Sequence, residues 1–319
     1  MNAQARPVSG GLDAAGAAGA ERRSLVAEAE RIIREGSKSF RFASNLFDQA
    51  TRERAWLLYS WCRACDDLAD GQTLGHGAVA PDDPERRIGQ IRGMTDRALA
   101  GERVGLAPFD ALRVVAAECM IPRRFIDDHL AGFALDAEGW RPRTEQDLLR
   151  YCYHVAGAVG CMMAVVMGVD PDDGDTLDRA ADLGIAFQLA NIARDIVEDH
   201  GVGRLYLPAD WLPPGGLDPA DRPTLARIAG RLAALVADYE ASARVGAARL
   251  PFRARWAVLS AANIYGAIAR RVAARGEEAW ESRTIIHKPS KLVFVAKALV
   301  ECGEHPQATG REGLWTRPA

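Results

Sequence analysis

The sequence lacks most of the signals that assign a chain to a class at a glance. It has no alternating Val/Ile/Thr runs bounded by hairpin turns, so strands are not expected. It has no P-loop and no Gly-x-Gly-x-x-Gly turn, which removes the common nucleotide and dinucleotide cradles. It has no excess of one charge: the formal net charge is -3 over 319 residues, with both signs mixed along the chain. A nucleic-acid binder shows a basic face instead. The longest apolar run, 155–169, is broken by three glycines. It falls short of the roughly 17–25 residues a membrane-spanning helix needs. The six cysteines are scattered in apolar helical patterns, where a thiol acts as a small hydrophobe. Cys62-Arg-Ala-Cys65 has zinc-like spacing, but a second ligand pair is missing and His76 stands alone nearby. Residues 1–22 are rich in Ala and Gly without an apolar block, so they read as neither signal peptide nor membrane span. Residues 1–21 are expected to be a disordered leader, and the chain to reside in the cytoplasm, at most peripheral to a membrane.

What is present is helical periodicity. Apolar residues make up 48% of the chain, enough for a sizeable core. Leu25, Ala29, Ile32 and Ile33 form one helix stripe. Further helices are expected over 51–70, 84–100, 109–120, 122–136, 145–167, 176–199, 224–248, 252–274 and 290–300, with loops at 71–83 and 208–223. No composition shift divides the chain, so 22–302 reads as one all-α domain followed by an irregular tail, 303–319.

Two acidic motifs stand out. The first runs Tyr59-Ser-Trp-Cys-Arg63-Ala-Cys-Asp66-Asp67-Leu-Ala-Asp70. At 100° per residue, Tyr59, Arg63, Asp66 and Asp70 fall on one stripe. The second runs Gln188-Leu-Ala-Asn191-Ile-Ala-Arg194-Asp195-Ile-Val-Glu198-Asp199, and Gln188, Asn191, Asp195 and Asp199 share a stripe in the same way. Asp67 and Glu198 lie off these stripes. Both helices are otherwise apolar, so the carboxylates face partial burial. Like charges four apart repel by roughly 0.2–0.5 kcal/mol even in water, and burial makes an unpaired charge far worse. Asp also sits at the helix end the dipole disfavours. A cation between the carboxylates resolves the conflict. All-oxygen donors suit a hard ion, magnesium or manganese. Magnesium binds through a few carboxylates together with substrate phosphates, so a phosphorylated substrate is implied. Arg63 and Arg194 are placed to contact phosphate oxygens. A pair of solvated, salt-bridged helix ends is the plainer alternative. A di-iron bundle needs Glu-x-x-His pairs, which neither motif contains.

Five blocks, in order, resemble the squalene/phytoene synthase family, and its bacterial phytoene-forming members most of all. They are Ser37-Lys-Ser-Phe40, the block from Leu58 to Asp70, the block from Tyr151 to Gly160, the block from Ala186 to Asp199, and Arg204-Leu-Tyr-Leu-Pro208. The resemblance implies an all-α isoprenoid synthase (class I prenyl synthase) helical bundle around a central cavity. It implies head-to-head condensation of two geranylgeranyl diphosphates through prephytoene diphosphate to phytoene, a prenyltransferase step of carotenoid biosynthesis. No nicotinamide is expected. Catalytic roles carry over to Asp66, Asp70, Asp195, Asp199, Arg63, Tyr59 and Tyr151, with the four aspartates as metal ligands. Ser37, Ser39, Phe40, Gln188, Asn191, Arg194, Arg204, Tyr206, Tyr265 and Arg283 are substrate-binding candidates, and Lys291 is a further one. Gly157 and Gly160 are expected to leave room for a prenyl chain. Two alternatives remain: a C15-using presqualene or dehydrosqualene synthase, and a non-catalytic assembly factor, against which the intact aspartates argue. A peripheral membrane contact suits so apolar a product, although no basic amphipathic helix stands out.

Overall fold

The structure, a computed structural model, describes residues 10–70, 83–304, 306 and 310–318, with side chains from residue 16 onward except Lys38 and Ser39. Helices run in the order α1 (Gly10–Gly36), α2 (Lys38–Ser44), α3 (Gln49–Asp70), α4 (Pro84–Leu99), α5 (Ala107–Cys119), α6 (Arg123–Ala137) and α7 (Glu145–Cys152). A single π turn, Tyr153–Gly157, joins α7 to α8 (Ala158–Val166). Then follow α9 (Gly174–Gly201), α10 (Arg222–Ala247), α11 (Phe252–Arg275) and α12 (Lys288–Glu301). Among the described residues there is no strand, as the sequence leads one to expect.

Helix α9 is the central post. It packs against α7, the π turn, α8, α10 and α11. Ile185, Leu189, Ile192 and Ile196 are buried on it. Each contributes roughly 1.5–3 kcal/mol of burial, several times the repulsion between two carboxylates one turn apart. That margin lets an apolar helix carry an acidic stripe. Helix α3 does the same through Trp56, Leu57, Leu58, Trp61 and Cys65. Side chains cap the amide ends of other helices: Asp173 accepts from Thr176 N at the start of α9, and Thr144 forms a capping box with Asp147 at the start of α7.

Three expectations are corrected or extended by the structure. First, α1 starts at Gly10, so at least residues 10–21 of the expected leader are helical. The alanines of 14–20 are strong helix formers. The helix is then pinned by Glu21, which accepts from Arg113 at 2.6 Å, and by Arg22, which bonds Glu53 at 2.6 Å. Residues 1–9, and nearly all of the expected loop at 71–83, lie outside the described residues. Second, the irregular tail is tied down. Arg311 donates two 2.8 Å bonds to the fully buried Asp182, Arg317 pairs with Asp178, and Trp315 packs 5.0 Å from Tyr153. Third, the glycines of the cavity helix serve helix packing, while Gly160 also lines the cavity as expected. A methyl group on Gly160 would stand 2.3 Å from the Ala180 carbonyl oxygen, and one on Gly184 would stand 2.3 Å from that of Ala156. A methyl on Gly157 would meet the Tyr153 ring at 2.8 Å. Their small size lets α8 and the π turn lie directly on α9. The stretch Glu145–Val166 is long and apolar enough to cross a membrane, yet 61% of its most apolar window is buried inside the fold.

Close helix contact predicts opposite outcomes for two Gly→Ala changes. Gly184→Ala forces α9 from the π turn and should cost about 1–3 kcal/mol in urea unfolding. Gly230→Ala on α10, where a methyl meets nothing within 4 Å, should gain about 0.5–1 kcal/mol.

Candidate active site

The C-terminal halves of α3 and α9 border one crevice, and the residue that bridges them is Arg204, just beyond α9. Arg204 bonds Asp70 directly. Its charge also acts on Asp66, Asp136 and Asp199. Each acidic stripe is matched by arginine. Arg63 reaches Asp66 at 3.1 Å and Asp67 at 3.0 Å. Arg194 holds Asp195 through two nitrogens, one at 2.8 Å. Arg283, from the loop before α12, reaches Asp195 at 3.1 Å and also bonds Glu198. The off-stripe residues Asp67 and Glu198 therefore act as arginine partners at the crevice.

Arginine does not fully balance the site. Burial pushes Asp199 up to about 7, with Asp195 adding to the rise. Burial likewise raises Asp66 to about 6, Arg63 opposing and Asp70 adding. These carboxylates are short of positive charge, the condition a bound cation relieves. Among the described residues no three His, Cys, Asp or Glu side chains converge into a ready-made cage. The donors stand as pairs, one turn apart, on two helices. Such a set fits a hard ion that completes its shell with water and phosphate oxygens.

On the N-terminal side of both acidic stripes the same two helices line an apolar cavity of about 300 Å³, within the size range of small-molecule pockets. Tyr59 and Cys62 on α3 and Phe187 on α9 line it, Cys62 about one turn and the two aromatics about two turns before the first aspartate of each stripe. Val155, Val159 and Met163 form another wall. Phe40 sits 5.3 Å from the Tyr59 ring, and Tyr265 stacks on Phe187 at 4.2 Å. Ser37 lines the cavity while its hydroxyl caps α2, accepting from Phe40 N at 3.2 Å. The Ser39 side chain lies outside the described residues. Gln188 and Asn191 occupy the half-buried polar stripe of α9, beside Arg194 and Asp195. Burial pushes the Tyr59 hydroxyl up to about 12, so it stays protonated at neutral pH.

One member of the site escaped the sequence reading. Asp136, at the end of α6, accepts from the Tyr151 hydroxyl at 3.1 Å and from the Tyr206 hydroxyl at 3.2 Å. Tyr151 and Tyr206 stack at 4.9 Å, and Trp140 stacks on the other side of Tyr151 at 5.8 Å. Burial raises Asp136 to about 6, against the pull of Arg204. Asp136 is a single carboxylate in Phe133-Ala-Leu-Asp136, with no second acid one turn away to mark it.

The raised carboxylates give a pH signature. An unfolded Asp titrates near 3.9, whereas Asp199 titrates at about 7 in the fold. Its folded pKa is the higher, so its contribution is intact below about pH 4 and is lost as pH rises through about 7. In metal-free protein Asp199→Asn should therefore gain Tm relative to the parent, by roughly a few degrees, between pH 4.5 and 8. A Tm difference independent of pH would contradict the assigned environment.

Residues 33–290 match the squalene/phytoene synthase family. A 15-cis-phytoene synthase of Pantoea ananas is 44% identical over 308 residues, covering 92% of this chain and 98% of its own. That of a Paracoccus strain is 44% identical over 300 residues, with the same coverage of 92% and 98%. Among solved structures, a dehydrosqualene synthase in complex with a ligand superposes with a TM-score of 0.77 at 26% identity, covering 87% of this chain and 96% of that one. A squalene synthase from Alicyclobacillus acidocaldarius superposes with a TM-score of 0.70 at 22% identity, covering 81% and 96%, and speaks to the fold alone. With both aspartate helices intact over an apolar cavity, and with matches running nearly end to end, the chain belongs to the squalene/phytoene synthase family.

Proposed function

We propose that the chain condenses two geranylgeranyl diphosphates head to head into phytoene, as a prenyltransferase of carotenoid biosynthesis. The observation that carries this reading is a polar rim of paired aspartates and arginines over an apolar cavity, in a chain 44% identical to a phytoene synthase across nearly its whole length. In the first half-reaction one diphosphate leaves its allylic carbon. That carbon adds across the 2,3 double bond of the second substrate, and proton loss closes the cyclopropane of prephytoene diphosphate. In the second half the remaining diphosphate leaves, the ring opens to the linear skeleton, and a second proton loss gives phytoene. Two diphosphates and two protons depart, and no reductant is consumed.

The residues divide this work. Arg63, Arg194, Arg204 and Arg283 already bond carboxylates at the rim, and they take up diphosphate oxygens by charge-assisted hydrogen bonds when substrate enters. Asp66, Asp70, Asp195 and Asp199 would hold magnesium, or manganese, which supplies electrostatic stabilisation of the leaving diphosphate. The cavity walls keep water from the allylic cation. Tyr59, protonated and at the cavity mouth, offers an aromatic face to that cation. Asp136 fixes the hydroxyls of Tyr151 and Tyr206 and thereby the height of the aromatic stack beside Arg204.

Purified protein with magnesium should convert geranylgeranyl diphosphate to a C40 hydrocarbon and release diphosphate, with farnesyl diphosphate turned over far more slowly. A preference for the C15 substrate would overturn the chain-length assignment. Asp195→Asn should lower kcat by at least about 10²-fold, the range for removing one group that stabilises developing charge, while far-UV circular dichroism stays unchanged. Tyr151→Phe should act more mildly, because the Asp136–Tyr206 bond remains.

A further inference from the structure

The chain carries 40 lysines and arginines, but only four are lysine: Lys38, Lys288, Lys291 and Lys297. Three of these four lie in the 14-residue helix α12. That helix has its apolar side outward. Ala298 is fully buried against Leu259 and Ala247, and Glu301 turns inward to bond Arg244 at 3.0 Å and Asn263 at 2.8 Å. The opposite stripe is Pro289, Leu292, Val293, Ala296, Leu299 and Val300, all exposed. Leu292, Val293 and Val300 are 61%, 64% and 70% exposed. At 100° per residue this stripe spans about 120°, and Lys288 and Lys297 stand at its two borders. Phe252, 57% exposed, is a further exposed apolar side chain near this helix: its ring lies 6.3 Å from that of Trp256, which donates to Val295 O at 2.9 Å.

We infer that α12 docks the chain on a lipid bilayer with anionic headgroups, its apolar stripe in the acyl boundary and Lys288 and Lys297 at the phosphate level. An outward apolar stripe bordered by long cationic side chains is the pattern of a helix lying in a membrane interface. Lysine stems lie along the apolar region while their ammonium groups reach the headgroups. A second copy of the chain would instead bring Lys288 into a largely apolar contact with no acidic residue on the stripe to meet it, whereas Lys297 is paired with Glu301 at 3.4 Å at the other border. The position also fits. Ala257, Val258 and Ala261 of α11 line the apolar cavity, while Trp256 and Leu259 of the same helix face α12. One helix thus separates the cavity from the docking face, and an uncharged C40 hydrocarbon formed in that cavity has a lipid phase as its natural destination.

The test measures binding without substrate, so its outcome is independent of the reaction assigned above. The full chain is sedimented with phosphatidylcholine vesicles with and without phosphatidylglycerol. The protein should bind the anionic vesicles and be released by salt. Lys288→Gln combined with Lys297→Gln should weaken anionic binding by about fivefold per lysine. The triple variant Leu292→Ser, Val293→Ser, Val300→Ser should lose vesicle binding altogether, with circular dichroism as the check on folding. Met120→Ser, a control at a residue 78% exposed at the end of α5, should bind like the parent. Failure of the parent to sediment with either vesicle overturns the proposal. So does anionic binding unaffected by the lysine changes. A dimer in light scattering that the serine variant dissolves, without vesicle binding by the parent, assigns the stripe to a second copy instead.

Discussion

The structure turns on a conflict between burial and charge, settled by arginine. Two helices that the core needs on most of their faces also present carboxylates at their C-terminal ends. Arg63, Arg194, Arg204 and Arg283 make that arrangement tenable, each bonded to an aspartate of a motif. Arg204 matters most, because it lies in the field of both stripes and of Asp136. Helices α3 and α9 both pack on α8, and Arg204 adds a charged link between their acidic ends by bonding Asp70 from just beyond α9. A crevice held by exchangeable ion pairs opens to a charged ligand without repacking the core.

This arrangement explains how the site can be polar at the rim and dry beneath. The i, i+4 spacing that puts Asp66 and Asp70 on one stripe also puts Cys62 and Tyr59 below them, where they line the cavity. The same geometry places Phe187 beneath Asn191 and Asp195 on α9. Charge and apolar wall are therefore successive turns of the same rods, and their separation is fixed by helix pitch. The glycines of α8 and α9 hold the rods close, with Gly160 and Gly184 set against carbonyl oxygens of the facing helix.

The sequence revealed whatever is local in it. Helical periodicity located most helices to within a few residues, and the aspartate stripes followed from angle arithmetic. Other features depend on partners far apart in the chain. Asp136 meets Tyr151 and Tyr206 from 15 and 70 residues away, so no window around it hints at its role. Gly157 and Gly160 are small for the sake of α9, which periodicity in their own helix cannot show. The early start of α1 is masked by its mixed composition, in which glycines loosen the chain while alanines favour a helix. The outward face of α12 is not legible in its helix pattern, because a pattern gives the period of burial but not the side that is covered.

The docked tail adds a constraint on the order of assembly. Asp182 lies in the first third of α9 with no exposed surface, and its carboxylate is shared between Ser242 and Arg311. Arg311 lies 129 residues further along the chain. During synthesis α9 leaves the ribosome long before that guanidinium exists, and a buried carboxylate lacking its partner is strongly destabilising. The central post therefore completes its packing only when the segment around Arg311 is in place, which couples the stability of α9 to a stretch of chain far from it in sequence.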